Sequence, residues 1–113
     1  MTDAEAPAMR LIYTTWPDAE AAERVAAVLL NDRLVACANM LAPMRSVFRW
    51  EGAVQRETEI PVLFKTSARR AVEVQQRISA LHPYDEPCII ALPVDSRASS
   101  EGFLRWVSLQ VSG

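Results

Sequence analysis

The stretch from Val35 to Thr66 constrains this chain more than any other, because it reads as one long hairpin: VACANMLAPMRSVFRW, a Glu51-Gly52 turn, then AVQRETEIPVLFKT. Val35, Cys37 and Asn39 alternate with Ala36, Ala38 and Met40, and Ile60, Val62, Phe64 and Thr66 alternate with Pro61, Leu63 and Lys65. That is the period-two spacing of strands on both arms. At roughly 3.3 Å per residue, an arm of about 14 residues reaches about 45 Å, more than a small domain is wide. The distal end, with Val47, Phe48 and Trp50, must project beyond its own core, so the chain is expected to be one subunit of an oligomer.

A chain of 113 residues suits one domain, expected over residues 9–113, with a loose tail over residues 1–8. Such a length buries roughly 65% of its unfolded surface and needs no staples. A net charge of −2 offers no general attraction to nucleic acid or anionic lipid. No apolar run approaches a membrane span, and the N-terminal MTDAEAPA lacks the order of a signal peptide, so the expected location is the cytoplasm. In that compartment Cys37 and Cys88 read as free thiols packing as small hydrophobes.

Arg10 to Thr15 reads as a strand, ended by Trp16-Pro17. Asp18 is placed to cap a helix whose apolar stripe is Ala22, Val25, Ala26 and Leu29, ending near Asn31-Asp32. Pro61 lacks an N–H, which predicts a bulge or an unpaired edge near it on the second hairpin arm. Ser67 is expected to cap a second helix, ARRAVEVQQRISALH, with Ala71, Val74, Ile78 and Leu81 inward, a Glu73–Arg77 pair outward and a stop before Pro83. CIIALPV then reads as a strand buried on both faces or covered by another subunit. A short helix from Ser99 or Ser100 carries Phe103, Trp106, Val107 and Leu109.

The order β-α-β-β-α-β plus a terminal helix is an α+β, ferredoxin-like sandwich with an extended hairpin. Its expected strand order is last strand, first strand, second hairpin arm, first hairpin arm. Cys37 and Cys88 then lie on opposite edges, roughly 14 Å apart, too far to form a disulfide.

At ACANM, SVFRWEG, ETEIPVLFKT and LHPYDEP the sequence resembles the CutA family of divalent-cation tolerance proteins, over roughly residues 10 to 111. The resemblance implies a homotrimer whose hairpins clasp neighbours, similar in architecture to the trimeric PII signalling proteins. It also implies tolerance of, or response to, copper and other divalent metals, with Cu²⁺ or another divalent cation as a possible ligand. In a bacterial member copper is associated with a cysteine near the end of the first strand and two histidines before the Pro-Tyr. Those positions hold Thr14, Leu81 and His82 here, so one ligand type of three survives.

His82, the only histidine, has two readings: a ring bonded to a carbonyl or charged at a helix C-terminus, or a metal ligand. Cys37 is a second candidate ligand. If no bulge intervenes at Pro61, Glu57, Glu59 and Lys65 share strand parity, and with Tyr84 and Trp50 they could line an intersubunit cleft for a small ligand or anion. The same residues could instead form a solvated rim with an intersubunit salt bridge. Trp50 is best read as an interface anchor. No nucleophile stands beside a base, only three glycines are present, and no carboxylate pair shares a convincing pocket, so no enzyme is expected. RNA binding is not indicated, since the first strand offers Tyr13 alone as an aromatic and the chain has one lysine. The readings that remain are a cation-tolerance trimer and a PII-like regulatory or scaffold trimer that binds a small molecule or partner protein.

Overall fold

The structure, a computed structural model, describes residues 7–111; most of the expected N-terminal tail lies outside them. The elements are β1 (Met9–Trp16), α1 (Ala19–Asn31), β2 (Cys37–Met40), β3 (Met44–Trp50), β4 (Ala53–Ser67), α2 (Ala71–Leu81), β5 (Ile89–Pro93) and α3 (Glu101–Gln110). They form a five-stranded antiparallel sheet in which β2, β4, β1 and β5 follow in that order and β3 extends along β4. This is the expected ferredoxin-like order. At about 3.3 Å per residue the 15 residues of β4 match the longest molecular dimension, 51 Å against 27 and 23 Å.

Alternation along the strands decides which face meets which helix. Ile12, Val62 and Phe64 point to α1 and α2 and pack with Trp16, Ala22, Val25, Leu29, Val74 and Ile78 in the main core. The opposite face is covered at one end only, where Met9 packs with Leu104 and Val107 of α3. Arg33, at φ 56°, holds that helix down by donating to the carbonyls of Leu109 (2.7 Å) and Gln110 (3.0 Å). The other end of this face stays open.

Local chemistry explains the boundaries. Asp18 caps α1, its Oδ1 accepting from the Ala21 amide at 2.8 Å. The hairpin turns at Glu51 (φ 48°) and Gly52 (φ 81°), two left-handed residues whose twist matches that of the strands. Ser100 caps α3 through the Phe103 amide.

Several expectations need correction. The first hairpin arm is not one strand. Met40 pairs with Val62 and Met44 with Glu59, so three residues, Leu41 to Pro43, face two, Ile60 and Pro61. The bulge that Pro61 demands thus sits in the facing arm, while β4 runs through unbroken. Pro61 turns its bonding edge to that break, where its carbonyl accepts from the Leu41 amide at 2.9 Å.

Ser67 makes no side-chain cap; it is still paired with Met9 in the sheet, and a 3₁₀ turn, Ala68–Arg70, leads into α2. Leu81 is exposed rather than inward. Arg77 pairs with Asp32, the residue just past α1, and Glu73 takes Arg70 instead, at 2.6 Å. β5 is not buried on both faces in the single chain: from Ile90 to Pro93 it is exposed, with Ile90 at 49%. On α3 the inward residues are Leu104 and Val107, while Phe103, Trp106 and Leu109 are exposed.

Candidate functional site

The open end of the sheet forms the floor of a cleft of about 840 Å³, walled by the inner side of the β3–β4 hairpin and by the loop after α2. Cross-strand partners share a face, so the register Met44↔Glu59, Ser46↔Glu57, Phe48↔Gln55 and Trp50↔Ala53 places Glu57, Glu59, Phe48 and Trp50 together on that inner side. Tyr13 and Thr15 of β1 and Cys88 join them.

Glu59 is the most buried carboxylate of the cleft, 8% exposed. Its Oε2 accepts from the Tyr84 hydroxyl at 3.1 Å, the one hydrogen bond it makes among the described residues. Burial, and next the carboxylate accepting from its hydroxyl, push the Tyr84 phenol up to about 12. Burial first, then the nearby Glu59 carboxylate, also raises the Cys88 thiol, against a hydrogen bond with Thr15. Tyr13 is raised by burial and then by the charges of Cys88 and Glu59. Its hydroxyl lies 3.9 Å from Met44 Sδ.

Tyr84 is set in place by a stack beneath it. The His82 ring lies 4.1 Å from Trp16, centroid to centroid, and 4.9 Å from Tyr84. His82 Nδ1 accepts from the Tyr84 amide at 3.1 Å, which leaves Nε2 to carry the proton and donate to the Thr15 carbonyl at 2.8 Å. Both nitrogens of the buried ring are thus engaged. Burial lowers its pKa, opposed by the Thr15 carbonyl and Glu59, so the neutral form is the resident one.

The structure therefore brings together four of the residues singled out from sequence, Trp50, Glu57, Glu59 and Tyr84. Lys65 is not among them. It lies six residues along β4 from Glu59, at the end covered by α3, with Nζ 5.3 Å from the Phe103 ring centroid. Cys37 pairs with Lys65 at that same end, while His82 bonds to Thr15, so the two candidate ligands do not converge. Among the described residues no three histidine, cysteine or carboxylate groups are placed to hold a metal ion.

Nor do Thr14, Leu81 and His82 fit a copper ion. The buried Thr14 hydroxyl donates to the Val62 carbonyl at 2.9 Å and accepts from Trp16 Nε1 at 2.7 Å. Leu81 offers an alkyl chain, and His82 has no free nitrogen.

Sequence reading missed Trp16, the platform of the stack, and Tyr13, Thr15 and Cys88 in the cleft wall. A signal existed: Tyr13 and Thr15 share parity with each other on a strand whose next residues, Trp16-Pro17, must turn at its end. Chemically, four carboxylates, Glu57, Glu59, Asp85 and Glu86, line the cleft, and no lysine, arginine or histidine does. With phenol, indole and phenyl walls, the arrangement favours a cation or a neutral ligand over an anion.

The family model described as CutA1 divalent ion tolerance protein matches residues 10–110. The divalent-cation tolerance protein CutA of Pyrococcus horikoshii is 42% identical over 99 residues, covering 88% of this chain and 94% of that protein. Among solved structures, the periplasmic divalent cation tolerance protein CutA of Archaeoglobus fulgidus superposes with a TM-score of 0.86 at 38% identity, over 92% of this chain and 99% of that one. CutA1 of Oryza sativa gives 0.88 at 30% identity, over 95% and 96%.

Proposed function

The chain belongs to the CutA1 family of divalent ion tolerance proteins, and on that footing we propose that it serves divalent-cation tolerance as a non-catalytic homotrimer. The observation that carries the assembly is β5, an apolar edge strand left exposed in the single chain, with Ile90 and Leu92 open to solvent. An exposed apolar edge is a template for association unless a partner covers it. The hairpin adds Val47 at 59% and Trp50 at 48% exposure, far from the core.

Tolerance in this reading does not run through Thr14, Leu81 and His82: the Thr14 hydroxyl and both His82 nitrogens are engaged within the chain, and Leu81 has no ligand atom. The non-catalytic role is supported by the cleft's own acids: the Tyr13 and Tyr84 phenols and the Cys88 thiol are all raised, so each holds its proton more tightly than the ordinary group does and none is an activated nucleophile. We take residues 9–113 as one domain, built on one sheet. We place the protein in the cytoplasm, where the free thiols Cys37 and Cys88 persist. Among the described residues no helix is long and apolar enough to cross a membrane.

Light scattering on the purified chain tests the assembly, with three chains per particle expected and a monomer at micromolar concentration overturning it. Calorimetric titration with Cu²⁺ and Zn²⁺, run on wild type and His82→Ala, tests the metal route. Saturable binding lost in the variant would contradict the engagement of both ring nitrogens.

A second reading, a PII-like regulatory or scaffold trimer, is favoured by the volume of the cleft, which lies in the range of small-ligand sites. Because Lys65 lies outside the cleft, this reading now calls for a cationic or neutral ligand. A thermal-shift screen checks it: a polyamine or nucleoside should raise Tm and an anionic metabolite should not.

A further inference from the structure

Glu59 is a carboxylate with one oxygen to spare. The residue is 8% exposed, and its Oε2 accepts from the Tyr84 hydroxyl at 3.1 Å. Among the described residues no buried side-chain oxygen lacks a hydrogen-bond partner, so Oε1, which bonds to no protein group, is the atom that reaches the cleft. A carboxylate sunk this far into a wall is costly unless a positive charge meets it. No lysine, arginine or histidine among the described residues lines the cleft to supply one.

A second carboxylate stands in line with it. Glu57 comes two residues earlier on β4 and on the same inner side, about 7 Å away at the rise of an antiparallel strand. Met44 and Ser46 of β3 lie across from the two, and the Phe48 ring lies diagonally beyond Glu57. Among the described residues no three histidine, cysteine or carboxylate groups are placed to hold one metal ion, so this row suits positive charge spread along a chain. The small opening at Glu59 sets the head group. A primary ammonium is a compact charge with three donors, whereas a guanidinium is a broad planar fork and a quaternary ammonium has no donor to give Oε1.

We propose that the cleft binds a linear aliphatic diamine, with one primary ammonium on Oε1 of Glu59 and the other between the Glu57 carboxylate and the Phe48 ring. This rests on the reading of the cleft as a small-ligand site and names the class of its ligand. Four methylenes hold two nitrogens about 6 Å apart when extended, from ordinary bond lengths of about 1.5 Å. That matches the spacing of the two carboxylates, and a shorter spacer falls short of the second. The hydrocarbon lies along Met44, and the outer ammonium gains both a charge-assisted hydrogen bond and the face of a ring.

Calorimetric titration of the full chain with 1,4-diaminobutane tests this. Saturable binding at one ligand per chain is expected, about tenfold tighter than butylamine and tighter than 1,3-diaminopropane. Glu59→Gln and the exposed Glu57→Gln should each weaken it about tenfold or more, with circular dichroism unchanged. Glu23→Gln, exposed on α1, should bind as wild type does, which separates the site from diffuse attraction to an acidic surface. Equal affinity for butylamine and the diamine, or undiminished binding in Glu57→Gln, overturns the inference. No binding of any amine while a nucleoside raises Tm overturns it and leaves the small-ligand reading standing. No response to any ligand class removes both.

Discussion

The Tyr84 hydroxyl donates to Oε2 of the buried Glu59 at 3.1 Å, tying the loop after α2 to the middle of the longest strand. Through His82 and Trp16 the same tyrosine is stacked on the end of β1. One phenol thus fixes the relation between the sheet floor and the wall of the cleft.

Replacing Tyr84 by Phe keeps the ring and removes the donor. The buried carboxylate then loses its hydrogen bond, a change of about 1–3 kcal/mol. Denaturant unfolding should give a lower midpoint with an unchanged slope. Glu59→Gln, which can still accept, should be milder.

The same phenol sets an alkaline limit. Its pKa stands at about 12 in the fold against 10.0 for the ordinary group. A raised acid means the folded state holds the proton more tightly, so this stability is full below pH 10 and is lost as pH rises toward 12. Wild-type Tm should fall across that window, and Tyr84→Phe should fall less; the raised Tyr13 and Cys88 contribute to the remaining slope.

His82 sets an acid limit with the opposite sign. Burial lowers its pKa below 6.5, so the unfolded chain takes up a proton that the fold resists. Stability from this group is complete above pH 6.5 and declines as pH falls through the folded value. Imidazole proton resonances should titrate below pH 6.5, and charging the ring should break the Tyr84 amide bond at Nδ1. A ring that titrates above 6.5 would contradict the arrangement.

Arg33→Ala removes two charge-assisted donations to the last carbonyls of α3. The exposed setting limits the loss to about 1 kcal/mol, or roughly 5 °C in Tm. Hydrogen exchange should show the last turn of α3 opening faster while the amides of α1 are unaffected.

Asp18→Ala leaves the first turn of α1 without its side-chain acceptor. A loss of about 1 kcal/mol is expected, restored in large part by Asp18→Asn. Equal stability of Asp18→Ala and wild type would remove the cap from the account of α1.

Local chemistry was sufficient for several element boundaries. The stripe Ala22, Val25, Ala26 and Leu29, the Asp18 cap, the Glu51-Gly52 turn and the stop before Pro83 each follow from interactions within a few residues, and each is where the sequence places it. Strand order followed too, because a crossover between β1 and β2 leaves one gap and the second hairpin arm fills it. Strand parity and the turn put Trp50, Glu57 and Glu59 on one side of the hairpin, and Tyr84 reaches the same cleft of the single chain from the loop after α2.

What composition and spacing could not settle were relations across the sheet. Parity puts Lys65 and Glu59 on one face but is blind to distance along the strand, and α3 occupies that face at one end, so the lysine goes under the helix and the glutamate into the cleft. The demand for a bulge at Pro61 was readable, yet either arm could satisfy it, and the pairing of β4 with β1 on its other edge decided for the facing arm. His82 and Trp16 are 66 residues apart in sequence, from 82 − 16. Only tertiary packing stacks one on the other and engages both imidazole nitrogens, so sequence determined the parts and their order, while burial determined what each part can still bind.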